Sequence, residues 1–234
     1  MRRLLLLALL PSLTPAEVIR SSAIDWGAIE TLSVKATRIT TKGPVTQREQ
    51  WKFSFRQPDS FRLDYSYPQE RVIAADGREL VEYLPALKQA VRTRFETPAN
   101  GEALKKKILN RVALTGSHFG SPETLLRVFD WEMGGTGPLI GRAKRGDGKM
   151  LLWLNQDGLE KGELYDEKNQ LVLRQTARDF RRVGPLSFPL ETKTEFFRPE
   201  AVCIDLRLRE LRINEPLETR FLLPPGVGIT ERRL

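Results

Sequence analysis

The chain has one histidine and one cysteine among its 234 residues. That scarcity excludes a good deal of chemistry. A zinc site needs several His or Cys ligands, and here it would have to be assembled almost entirely from carboxylates. A lone cysteine forms no internal disulfide, and none follows the N-terminal apolar run to accept a lipid. Cys203, in the apolar pattern Ala201-Val202-Cys203-Ile204, reads as a small buried hydrophobe. His118 stands beside Ser117 in a glycine-flanked loop, but sequence neighbours do not make a nucleophile and base by themselves, and no Gly-x-Ser-x-Gly elbow is present. A hydrolase built on Ser117 and His118 is therefore the weakest function hypothesis. Gly134-Gly135-Thr136-Gly137 lacks the lysine and the strand-to-helix context of a phosphate loop and reads as a turn. Internal repeats, low-complexity tracts and linkers are also missing. The expectation is a protein without catalysis, cofactor or metal.

No apolar run is long enough for a transmembrane helix. The short run Leu4–Leu10 follows Arg2-Arg3 and precedes Pro11-Ser12-Leu13-Thr14-Pro15-Ala16, the three-part pattern of a secretory signal peptide. Residues 1–16 are expected to be removed after Ala16, leaving residues 17–234 as one soluble domain and a monomer. The formal charge of +8 stays positive without Arg2 and Arg3. Basic and acidic residues alternate, as in Asp205-Leu206-Arg207-Leu208-Arg209-Glu210, so most charges read as wet faces of strands, and export argues against a nucleic-acid partner.

What the chain does have is a set of sharply alternating aromatic strands. Trp51, Phe53 and Phe55 alternate with Lys52, Ser54 and Arg56, and Phe61, Leu63, Tyr65 and Tyr67 with Arg62, Asp64 and Ser66. Strand side chains alternate with period two, so each set forms one apolar face. Asp76-Gly77, Asp147-Gly148 and Asp157-Gly158 are strong hairpin signals. The patterns predict a short helix over residues 17–31, an amphipathic helix at Gly101–Leu114 and a second helix beginning at Ser121-Pro122-Glu123 and carrying Leu125, Leu126, Val128 and Phe129 up to Gly134. The strands number about eleven or twelve, enough for a strongly curled sheet. The fold class is mainly β (α+β): an incomplete antiparallel β-barrel with helices across its open apolar side. The aromatic face is either plain core or the wall of a cavity suited to acyl chains.

Phe55-Arg56-Gln57-Pro58-Asp59-Ser60-Phe61-Arg62, then Tyr67-Pro68, then Val72-Ile73-Ala74-Ala75-Asp76-Gly77 and Tyr83-Leu84-Pro85 resemble the LolA-like periplasmic lipoprotein carriers. Ile213-Asn214-Glu215-Pro216-Leu217 and Phe221–Val227 are similar to the closing motif of that family. The resemblance implies an unclosed barrel with a helical lid, binding acylated lipoproteins or a related lipid in the periplasm. It also implies an inner-membrane donor complex, an outer-membrane acceptor, transfer without catalysis, and so a chaperone role in outer-membrane biogenesis. Where the family has an arginine directly before the strand-ending proline, linked to lid closure, this chain has Gln57, which leaves Arg56 as the gating candidate.

On this reading Trp51, Phe53, Phe55, Phe61, Leu63, Tyr65 and Trp153 form the sheet side of a lipid cavity. Leu104, Ile108, Val112 and Phe129 form its lid. The alternative is an envelope lipid-sensing regulatory module that binds a membrane-protein partner.

Overall fold

The computed structural model describes residues 14–21, 28–97, 119, 121–135, 137–184, 186–219 and 221–233. Residues 1–13 of the expected leader, the expected helix at 101–114 with Leu104, Ile108 and Val112, and Ser117 and His118 lie outside the described residues.

Two antiparallel meanders make up one open sheet. The first comprises β1 (Thr31–Lys42), β2 (Val45–Arg56), β3 (Ser60–Tyr67), β4 (Arg71–Asp76), β5 (Glu79–Leu84) and β6 (Gln89–Arg94). The second comprises β7 (Phe129–Met133), β8 (Leu139–Ala143), β9 (Lys149–Asn155), β10 (Gly158–Tyr165), β11 (Leu171–Val183), β12 (Leu186–Phe196) and β13 (Val202–Ile213). They join where β1 pairs with β13, and a last strand, β14 (Gly228–Arg233), lies parallel to β6. The sheet order is β14-β6-β5-β4-β3-β2-β1-β13-β12-β11-β10-β9-β8-β7, and among the described residues its two ends do not pair. The fourteen strands among the described residues exceed the expected eleven or twelve, and one pair is parallel where all were expected antiparallel. At the β4–β5 hairpin, Gly77 has φ +86°, a conformation glycine adopts without strain, and Asp76 Oδ1 accepts hydrogen bonds from the amides of Arg78 and Glu79.

Among the described residues two short α-helices lie outside the sheet. Helix α1 (Pro15–Ser21) starts earlier than expected, because Thr14 and Glu17 form a reciprocal cap: the Thr14 amide donates to Glu17 Oε2 at 2.7 Å and the Glu17 amide to Thr14 Oγ1 at 3.3 Å. Pro15 fits the first helical position, where no amide hydrogen is needed. The helix was expected to run to residue 31, but β1 already begins there. Helix α2 (Pro122–Val128) has Ser121 as its N-cap, accepting from the Thr124 amide at 3.3 Å. It ends one turn earlier than its apolar spacing suggests. Phe129 turns extended at φ −122°, ψ 146° and opens β7, so it is a strand residue and not part of a helical lid.

The cross-strand register assigns the faces. On the inner face Leu32, Val34 and Ala36 of β1 stand opposite Phe55, Phe53 and Trp51 of β2, which in turn oppose Phe61, Leu63 and Tyr65 of β3. Around them Leu206, Leu208, Leu211, Ile213 and Phe188 complete a first core. A second core gathers Ile19 of α1, Leu125 of α2 and Phe119 against Phe129, Leu139, Met150, Leu152 and Leu173. On the outer face a small third cluster, Val81, Tyr83 and Ala90, is covered by Phe221, Leu223 and Val227 of the segment leading to β14.

Candidate lipid-binding face

Six of the residues expected to form the wall lie together on one buried face. Phe53 is fully buried, Leu63 is 1% exposed, and Trp51, Phe55, Phe61 and Tyr65 are all buried beside them. Tyr67, the last aromatic of the alternation, is 48% exposed because β3 ends there. Trp51 and Tyr65 are in ring contact at 6.0 Å between centroids. Burial of this depth makes Phe53 and Leu63 part of the structural core, whatever their neighbours at the edge contact.

The inner face is not apolar throughout, and this its composition did not disclose. Continuing the parity of β1 and β2 past Ala36 and Trp51 brings Arg38 opposite Glu49, a close ion pair on the same face, with both side chains only about one-quarter exposed or less. The Arg38 guanidinium lies 5.4 Å from the Trp51 ring centroid, a cation–π distance. The same level continues along the sheet: Arg38 opposes Leu206, Leu206 opposes Thr192, and one step further Thr194 opposes Gln175. Thr192, Thr194 and Gln175 are all buried. Among the described residues a polar belt thus separates the Trp51–Phe61 core from the Phe129–Leu173 core. Phe129 belongs to the second core, across the belt from the aromatic wall.

Two expected site residues fall elsewhere. Trp153 sits on the opposite face from the buried Met150 and Leu152, because its position in β9 has the other parity. Its ring meets Lys161 Nζ at 4.2 Å. There it joins a charged cluster in which buried Glu163 accepts from Tyr165 Oη at 2.7 Å and Arg174 Nε at 2.8 Å, with Lys161 Nζ at 3.0 Å. Burial alone would raise the Glu163 carboxyl, but the hydrogen bonds from Tyr165, Lys161 and Arg174 outweigh it and hold the group below the usual glutamate range. Arg56, the gating candidate, is exposed and has the opposite parity to Phe55. It lines an outer-face cleft of about 400 Å³ with Ser60, Asp76, Glu79, Thr219 and Phe221, away from the aromatic wall.

A second cleft, of about 480 Å³ between β13, β1, β2 and β3, is lined by Lys35, Lys52, Asp64 and Arg209 together with Ala36, Trp51 and Tyr65. Cys203 is half-buried on the outer face and not in the core: its thiol lies 3.7 Å from Asp205 Oδ2, and burial followed by that carboxylate pushes its pKa up. The described residues contain no group of three His, Cys, Asp or Glu arranged to hold a metal ion, and no helix among them is long and apolar enough to cross a membrane.

Residues 29–118 match the family described as outer membrane lipoprotein carrier protein LolA. The outer-membrane lipoprotein carrier protein of Haemophilus ducreyi is 36% identical over 62 residues, which is 26% of this chain and 30% of that protein. The corresponding protein of Glaesserella parasuis is 40% identical over 50 residues, 21% of this chain and 24% of its own length. The chain thus matches less than a third of either relative. A LolA superfamily protein from Nitrosomonas europaea is similar in overall structure with a TM-score of 0.48 at 12% identity, over 88% of this chain and 96% of that one. The resemblance to lipoprotein carriers is borne out across residues 29–118, which hold the motifs at 55–85, while the closing motif at 213–227 lies outside that match.

Proposed function

We propose that this protein is an exported periplasmic carrier that shields the acyl chains of lipoproteins, or of a related lipid, and moves them towards the outer membrane without catalysis. One observation carries the reading: the buried aromatic wall of β2 and β3 lies within the segment that matches the lipoprotein carrier family. Burying an acyl chain against such a wall contributes about 0.8 kcal/mol per methylene, enough for firm retention of a long chain. Transfer then requires only that the acceptor offer a comparable apolar surface. On this reading the partners are an inner-membrane donor complex and an outer-membrane acceptor, and the working protein is a soluble monomer.

Native mass spectrometry of protein purified gently from the periplasm tests the proposal. A carrier retains acyl lipid or acylated protein; a preparation that is uniformly ligand-free and takes up no added lipid overturns it. Capture from an envelope extract adds a second criterion. A carrier brings down many lipoproteins, whereas a single stoichiometric membrane-protein partner would point instead to a lipid-sensing regulator.

A further inference from the structure

The aromatic wall has one fully buried hydrogen-bond donor that its own fold leaves unused. Trp51 is 4% exposed, and its indole Nε1 is buried without a hydrogen-bond partner. Buried polar groups are nearly always paired, and a donor stripped of water with no acceptor is a standing penalty to the fold. The ring is fixed by its neighbours: Tyr65 contacts it on one strand and the Arg38 guanidinium, itself held by Glu49, lies over it. Trp51 also occupies a boundary. Towards Phe53 and Phe55 the inner face is hydrocarbon; towards Arg38 and Glu49 it becomes the polar belt.

The chemistry of the missing partner follows from that position. A pure hydrocarbon would leave the indole unsatisfied. A free carboxylate would require a charge partner, and Arg38 already has one in Glu49. A phosphate or sugar brings many polar groups, whereas the wall leaves one buried donor unpaired. An ester or amide carbonyl has one strong neutral acceptor joined directly to an alkyl chain, which matches a lone N–H at the edge of an apolar surface. We propose that Trp51 Nε1 donates a hydrogen bond to the ester or amide carbonyl at the head of a bound acyl chain. The chain is thereby registered at the Trp51–Tyr65 edge of the wall, its polar root level with Arg38 and Glu49.

This rests on the carrier reading, and the test separates the two. Palmitoyl lysophosphatidylcholine, with an ester carbonyl, is compared with its 1-O-hexadecyl ether analogue, both measured by displacement of anilinonaphthalene sulfonate fluorescence. The wild-type protein binds the ester about tenfold more tightly, the value of one satisfied hydrogen bond in a buried site. Trp51→Phe keeps the aromatic surface without the donor and binds both lipids equally, at the affinity of the wild type for the ether. Equal binding of the two lipids by the wild type, or an ester preference that survives Trp51→Phe, overturns the registration while leaving the carrier intact. If neither lipid displaces the probe from the wild type, both fail. The lipid pair needs no variant, so a Trp51→Phe chain that does not fold leaves the comparison decisive.

Discussion

Phe119 occupies the space that a side chain on residue 162 would need: a β-carbon built on Gly162 would lie 2.2 Å from Phe119 Cε2. The glycine lets the Phe119 ring close directly on β10, and it joins the second core to the polar belt, since Gly162 pairs with Gln175 on one side and Leu152 on the other. Gly162→Ala is expected to destabilise the protein by about 1–3 kcal/mol through overpacking. The loss should be largely relieved in the double variant with Phe119→Ala, as non-additive midpoints of urea unfolding would reveal.

Phe53→Ala separates core from ligand surface. Phe53 has no exposure, so truncation should cost about 3–5 kcal/mol in unfolding free energy. Tyr65→Phe, at the edge, should change stability by less than about 1 kcal/mol. Parallel urea titrations of the two variants give the comparison directly.

Glu163 makes part of the stability pH-dependent. Its folded pKa is lowered, so its contribution is fully present above the unfolded value of about 4.3 and is lost as pH falls through the lower folded value. Lys161 and Arg174 are each about one-third exposed, so solvent screens the pairs. Glu163→Gln is expected to cost about 1–2 kcal/mol at neutral pH, and the cost should shrink below about pH 4. Thermal melts of wild type and variant at several pH values measure it; an effect that grows in acid would contradict the assignment.

Asn214 fastens the start of β1. Its Oδ1 accepts from the Glu30 amide at 2.8 Å and the Thr31 amide at 3.3 Å, and its Nδ2 donates to the Ala28 carbonyl at 3.0 Å, with the residue itself at φ +55°. Asn214→Ala removes all three bonds and places alanine in a left-handed conformation that it tolerates less well. A loss of about 1–3 kcal/mol is expected, with faster amide exchange at Glu30 and Thr31.

Processing after Ala16 would cut α1 between its cap and its body, since Thr14 caps the helix through Glu17. If the proposed export holds, Edman sequencing of protein recovered from the periplasm should begin at Glu17. The shortened helix would still be anchored by Ile19, which is 2% exposed.

Much of the sheet is readable where the alternation is clean. β3 has the bounds expected of it because Phe61, Leu63 and Tyr65 alternate without interruption between Pro58 and Pro68. Trp153 was misassigned because Met150-Leu151-Leu152-Trp153-Leu154 is apolar throughout and composition does not choose its parity; the burial of Met150 and Leu152 does. β7 was hidden because no breaker separates Val128 from Phe129, so helical spacing runs on into the strand. β14 has no apolar alternation at all, every residue being exposed, and exists through its pairing with β6. The parity of Arg38 was legible in β1, but its partner Glu49 required the β1–β2 register.

The join between β1 and β13 also governs how the protein reaches this state. Every other antiparallel neighbour in the sheet is reached by a hairpin or a short connection, yet Leu32 finds Ile213 only after nearly the whole chain has been made. Loop closure over such a distance has a large entropic cost, and contacts of this kind slow folding. The two meanders consist of local pairings, and their union along the central seam is expected to set the rate. Substitutions in that seam should therefore slow refolding, whereas those in the outer hairpins should mainly hasten unfolding.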